Sequence, residues 1–128
     1  MEREKMIEVA KKAMYFQDIG DQASQLKLYA EDCTFMMPHI PEPLRGLDQL
    51  RGNVANWPKS TTEAEWFVAE GNKVVMGWNW RGEGWPEGTP LNRGMSLFVF
   101  NDEGLICEYE DFFDPDWATR HAPKPVAG

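Results

Sequence analysis

Two hydrophobic periods run along this chain, and the change from one to the other divides it in half. Over residues 2–18, Met6, Val9, Ala10, Ala13, Met14 and then Phe16 or Gln17 recur at helical spacing, with Glu and Lys between them. The pattern predicts an amphipathic helix that stops near Ile19-Gly20, where glycine supplies the C-terminal cap. Asp21 is placed to cap a second short helix running through Leu26, Leu28 and Tyr29. Thr34 to Met37 is an apolar run that ends at Pro38 and reads as a strand. The proline-rich HIPEPLRG reads as a loop, and residues 46–56 as a third helix ending at Trp57-Pro58.

In the second half the period falls to two. Residues 62–88 hold two strand-like runs linked by the hairpin signal Glu70-Gly71-Asn72, and the Gly/Pro-rich WRGEGWPEGTP reads as a wide hairpin tip. A strand from Arg93 to Phe100, the turn Asn101-Asp102-Glu103-Gly104 and a last strand from Leu105 to Phe113 follow. PDWATRH has the form of one closing helical turn with Pro115 at its first position. Helices first and a meander of hairpins after predict an α+β fold, with helices on one face of a curved antiparallel or mixed sheet. The 128 residues suit one domain, taken as residues 1–121, with 122–128 as a disordered tail.

Charge and composition narrow the function. A net charge of −8 and a pI near 4.7 argue against nucleic acid and anionic membrane as partners, since both call for a basic face. No stretch approaches the ~20 apolar residues of a membrane span, and the charged N-terminus is unlike a signal peptide. Cys33 and Cys107 are too few for a disulfide framework and lack metal-ligand spacing, so they read as reduced thiols in a cytoplasmic protein. No phosphate-cradling glycine motif, nucleophile elbow or metal-spaced histidine pair occurs, and no cofactor or metal is expected. The unusual feature is aromatic: six Trp, seven Phe and three Tyr, side chains that build apolar pockets and interfaces.

Three segments carry a resemblance to a known family. They are GDQASQLKLYAEDCTFMMP, RGLDQLRGNVAN and FVFNDEGLICEYEDFFD, in that order and at that spacing. Together they resemble the nuclear transport factor 2-like, or cone-fold, superfamily. The resemblance implies a conical pocket between the concave sheet face and the helices, with cofactor-free catalysis by carboxylates, His and Tyr. The superfamily holds many reactions, so the site must decide between them. The general-base Asp of ketosteroid isomerases falls on Met37, and their oxyanion-donating acid at or near Ser96. The Arg-x-Asp pair of limonene-epoxide hydrolases falls on Lys73-Val74-Val75, whereas their last catalytic Asp carries over to Asp111. The Asp of dehydrochlorinases fits Asp18, with no His at residues 61–65 to face it.

Among individual residues, His39 follows the first strand by two positions and so shares a face with Met37. Imidazole exchanges protons near neutral pH; the plainer alternative is a loop histidine between prolines. Asp111 alternates with Tyr109 and Phe113 on one face of the last strand, where burial among aromatics would raise its pKa. Its alternative is a solvated acidic edge. Tyr15 and Asp18 lie near the end of the first helix, where a rim hydroxyl and a surface carboxylate are the plainer readings. Arg93, Asn79 and the tryptophans Trp57, Trp78 and Trp80 complete the candidates. Asn79 and Arg81 alternate with Trp78 and Trp80, and either pair can face the pocket.

The expected cast is His39 and Asp111 as proton-transfer pair, Tyr15 or Arg93 as donor to developing negative charge, Asp18 as a further catalytic carboxylate, and the tryptophans as walls. Met37, Asn79, Ser96, Tyr109 and Phe113 are expected to bind substrate. The leading expectation is acid–base chemistry (elimination, isomerisation or retro-aldol cleavage) on an apolar, aromatic small molecule. A polyketide-cyclase-like aldol closure and a non-catalytic binding module are the alternatives. A stripe of Val74, Met76, Trp78 and Trp80, with Met95, Leu97 and Val99 on the neighbouring strand, is expected to cover a convex face and drive homodimer formation.

Overall fold

The structure is a computed structural model, and it describes residues 1–55, 59–116 and 120. Helix α1, Arg3–Ile19, turns Met6, Ala10, Ala13 and Met14 inward. It ends at Gly20, whose φ of 76° lets the N–H groups of Gly20 and Asp21 reach back to the carbonyls of Gln17 and Phe16. Asp21 then accepts from the Ser24 N–H at 3.2 Å and opens α2, Gln22–Leu26. This helix is shorter than its apolar spacing suggests: Tyr29 already begins β1, Tyr29–Met36, which is accordingly longer than the predicted Thr34–Met37 run. The proline loop contains a two-residue strand, β2 (Leu44–Arg45), paired with Phe35 and Thr34 of β1. Helix α3 spans Gly46–Ala55.

The meander follows as β3 (Ser60–Glu70), β4 (Lys73–Gly82), β5 (Asn92–Phe100) and β6 (Ile106–Phe113). The six strands lie in the order β2-β1-β6-β5-β4-β3, and β1 runs parallel to β6 while every other pair is antiparallel. The sheet is therefore mixed and open, with α1 packed across β3 and β4 and α3 against β1. No helix among the described residues is long and apolar enough to cross a membrane. Trp57, most of the predicted closing turn and residues 121–128 lie outside the described residues.

The facing of β4 corrects one expectation. Val74, Met76 and Trp78 are buried against α1 and the other concave-face residues, and Trp80 packs against the same core. Alternation then sends Asn79 to the convex face, where it reaches Glu65, and Arg93 pairs with Glu65 there at 3.2 Å. The convex apolar surface is built from Trp66, Val68 and Phe112 together with Met95, the one exposed member of the predicted stripe, while Val99, on the same stripe, is buried. Trp66 reaches this face because a bulge between Ala64 and Trp66 shifts the β3 register.

Glycines let the largest rings lie flat on the sheet. Trp78 is the cross-strand partner of Gly94, and a Cβ at residue 94 would sit 2.6 Å from the Phe112 carbonyl and 2.7 Å from the Trp78 ring. Gly94→Ala should therefore lower stability by about 1–3 kcal/mol, the usual range for overpacking. A urea denaturation series checks it, and an unchanged midpoint would contradict the packing.

Candidate functional site

A cavity of about 310 Å³ opens between α1 and the concave face of the sheet. Its walls are mostly apolar: Met14 of α1, Trp78 and Trp80 of β4, Tyr109 and Phe113 of β6, and Pro115. Polar groups are few: Gln17, His39, Thr62, Asn92, Asp111 and Asp114. An apolar pocket with a sparse set of convergent polar groups is the usual form of a small-molecule site. The cavity is open rather than filled by Met and Trp side chains, as a plain packing module would have it.

Asp111 is its chemical centre. Strand alternation puts it beside Tyr109 and Phe113, and cross-strand pairing sets it opposite Ser96. Ser96 Oγ donates to Asp111 Oδ1 at 2.6 Å, and the Tyr109 hydroxyl donates to the same oxygen. Ser96 in turn accepts from the Trp78 indole N–H at 2.8 Å. The Tyr109 ring is held by Phe35, stacked at 4.5 Å, and by Phe98, edge-on at 5.0 Å. These contacts fix the hydroxyl before any ligand arrives.

The electrostatics follow from this enclosure. Asp111 is only 5% exposed, and burial pushes its carboxyl up to about 6. The bonds from Ser96 and Tyr109 oppose the rise by stabilising the carboxylate, and the neighbouring Glu110 adds to it. Burial and the Asp111 charge drive the Tyr109 hydroxyl well above its ordinary value, and the same two causes raise Tyr29. A carboxyl near 6 is ionised in most molecules at neutral pH yet still basic enough to take a proton.

The predicted residues divide into three groups. The structure brings Asp111, His39, Trp78, Trp80, Tyr109 and Phe113 together at the cavity, with Ser96 directly behind Asp111. His39 is exposed at the mouth, its ring 5.9 Å from that of Phe113. Five others are placed elsewhere. Tyr15 sits on the solvent face of α1, 58% exposed. Arg93 and Asn79 point from the convex face because the tryptophans hold the concave one. Met37 is buried in the core rather than in the cavity lining. Asp18 is absent from the lining as well. It accepts from Ser60 Oγ at 2.9 Å and from the Thr62 N–H and hydroxyl at 2.6 and 2.8 Å, tying the end of α1 to the start of β3. Trp57 lies outside the described residues.

Sequence reasoning missed Gln17, Thr62, Asn92 and Asp114 as lining residues. Gln17 had a signal, since it stands one helical turn after Met14 on the same face. Thr62 had none, because the β3 bulge reverses inward and outward positions along that strand. Among the described residues no three His, Cys, Asp or Glu side chains gather to hold a metal ion.

Comparison with known proteins supports this architecture. The sequence matches the SnoaL-like domain family over residues 17–109. No curated protein sequence matches. Among solved structures, the chain is similar to an NTF2-like protein of unknown function from Cytophaga hutchinsonii, at 16% identity and a TM-score of 0.74 over 90% of this chain and 95% of that one. It is also similar to a protein provisionally assigned as a ketosteroid isomerase from Kribbella flavida, at 18% identity and a TM-score of 0.73 over 98% and 84%. A third is the epoxide hydrolase/cyclase-like enzyme SalBIII, associated with pyran ring formation in the polyether salinomycin, at 16% identity and a TM-score of 0.77 over 89% and 94%. At such identities the likeness speaks to the fold, which is the NTF2-like cone.

The raised pKa of Asp111 makes folding depend on pH. Between the unfolded carboxyl value of 3.8 and the folded value of about 6, the native state holds the proton that the unfolded state has released. Stability therefore falls as pH rises through that window. Asp111→Asn keeps an acceptor for Ser96 and Tyr109 and removes the buried charge. It should be more stable than the parent at pH 7.5 by up to about 3 kcal/mol, at roughly 1.4 kcal/mol per pH unit. Urea melts from pH 7.5 down to 4 should show the gain shrinking to nothing, and a constant difference would refute the assignment.

Proposed function

The chain belongs to the SnoaL-like domain family, and on that footing we propose that it is a cofactor-independent acid–base enzyme acting on an apolar, aromatic small molecule. The reaction class is isomerisation, elimination or retro-aldol cleavage. The observation that carries this reading is the Asp111 carboxyl, buried at an apolar cavity and raised to about 6. As a carboxylate, Asp111 removes a proton from a carbon beside a carbonyl or, for retro-aldol cleavage, from the β-hydroxyl as the Cα–Cβ bond breaks and the hydroxyl-bearing carbon leaves as a carbonyl; in each case an electron pair moves onto the substrate carbonyl oxygen as an enolate. His39, at the mouth of the same cavity, donates a proton to that oxygen or to the leaving group. The tryptophans and Phe113 pack the ligand ring and exclude water. Tyr15 and Arg93 drop out of the cast because neither reaches the cavity.

Proton abstraction can be followed without the natural substrate. Uncharged aryl ketones incubated with the protein in D₂O should exchange their α-protons, read by NMR. The rate should rise with pH through about 6 as Asp111 ionises. Asp111→Asn and His39→Ala should each cost about 10²-fold or more. Near-parental exchange in both variants, or no exchange above buffer across the panel, would overturn this reading. Loss in Asp111→Asn alone would favour the second reading, an intramolecular aldol closure served by one acid–base residue. That reading draws on His39 being exposed while Asp111 is the buried carboxyl of the cavity.

Assembly belongs to the same proposal. Trp66, Val68, Met95 and Phe112 expose apolar surface on the convex face, beside the Arg93–Glu65 pair. A symmetric homodimer would bury it. Light scattering at micromolar concentration should give about twice the 14.7 kDa chain mass. Trp66→Glu should return the monomer, and a monomeric parent protein would refute the dimer.

A further inference from the structure

Three donors and one carboxylate meet at the wall of the cavity, and their directions are not interchangeable. The Trp78 indole N–H can only donate, and its 2.8 Å bond to Ser96 Oγ occupies an acceptor site on that oxygen. Ser96 has a single hydrogen. Its nearest acceptor is Asp111 Oδ1 at 2.6 Å, against 3.0 Å to the Tyr109 hydroxyl oxygen. Tyr109, bonded to the same Oδ1, donates its own hydrogen there. Oδ1 thus accepts twice, and Oδ2 is the oxygen left for the cavity that Asp111 lines. A proton on Oδ1 would force a donor to turn away inside an apolar enclosure, which is costly. A proton on Oδ2 leaves every bond in place.

We infer that Trp78 is a positioning residue that acts through Ser96 to confine the exchangeable proton of Asp111 to Oδ2, the oxygen facing the ligand. The inference rests on the reading of Asp111 as the acid–base group of this site. It adds that the indole serves as more than a wall. Without the indole donor, Ser96 is free to turn toward Tyr109, and Oδ1 becomes a competing site for the proton. With the relay intact, the ligand's reacting atom approaches along the Oδ2 side, between Trp78, Trp80 and Phe113.

The groups that face Asp111 permit a clean test. Tyr109 on β6 and Tyr29 on β1 are both raised away from the neutral range. Trp78 on β4, Ser96 on β5, Thr62 on β3 and Gln17 on α1 do not titrate near neutral pH. Glu110 alternates to the other face of β6, leaving His39 and Asp114 at the cavity. The work is done in a His39→Gln background, which removes the imidazole from the cavity mouth, as well as in the parent.

The experiment needs no substrate. The ¹⁵N-bound indole proton of Trp78, assigned by its absence in Trp78→Phe, is followed from pH 4 to 8 alongside the ¹³C-labelled Asp111 carboxyl, assigned by Asp111→Asn. Both should titrate with one midpoint near 6, in either background. The indole titration should vanish in Ser96→Ala, which breaks the relay while leaving Asp111 in place. In Trp78→Phe the Asp111 midpoint should rise by about half a unit, as a donor chain to the carboxylate is lost. A smaller ring that merely admitted water would lower it instead. An indole signal that ignores pH, one that still titrates in Ser96→Ala, or a midpoint unchanged or lowered in Trp78→Phe would each overturn the inference. Loss of ketone exchange in Asp111→Asn with a silent indole would leave the acid–base reading standing and remove the relay alone.

Discussion

A carboxyl group stays out of water only where other groups meet its hydrogen-bonding needs, and that constraint organises the concave face. No Lys or Arg lines the described part of the cavity, so no cation holds the Asp111 charge down. Burial wins over two hydrogen bonds, and the carboxyl rises to about 6 instead of falling. Each donor depends in turn on a neighbour. Tyr109 is fixed by Phe35 and Phe98, Ser96 is engaged by Trp78, and Trp78 can lie across the sheet because residue 94 has no side chain. The line from a glycine on β5 to the acid of the site is continuous.

The legible part of this arrangement was what strand parity alone determines. β6 is regular, so Tyr109, Asp111 and Phe113 could be grouped on one face and assigned an aromatic setting from spacing. For β4 parity was equally clear, but its direction was not, because large apolar residues occupy both faces of the meander. Spacing alone therefore allows the tryptophans to face outward, toward a dimer partner, or inward, toward the pocket. The bulge at Ala64/Trp66 decides much of this, since it reverses the facing of β3 midway and moves Trp66 and Val68 outward. A bulge of this kind leaves no local mark in the sequence.

The Trp78–Ser96 bond was hidden for a related reason. It runs diagonally, from a residue opposite Gly94 to one two places along β5, so it exists only once the register is known. Asp18 shows the opposite failure. Its position near the end of α1 suggested chemistry, yet its bonds to Ser60 and Thr62 span more than forty residues of sequence and hold the helix to the sheet. A carboxylate with its acceptor sites so engaged has little left to offer a ligand.

Charge limits what the cavity can hold. Asp111 carries a negative charge over most of its molecules at neutral pH, and the protein as a whole stands at −8. Asp114 at the rim is paired with Arg120. An anionic ligand entering this space would meet Asp111 across a low-dielectric wall of Trp78, Trp80 and Phe113, where like charges repel far more strongly than in water. Among the described lining residues the one side chain able to carry positive charge is His39, and it stands exposed at the mouth, where solvent screens it. The geometry therefore favours a neutral ligand. In the proposed reaction its ring would lie against the indoles and it would present a weakly acidic C–H or O–H to Asp111, with the oxygen that gathers charge turned outward toward the imidazole.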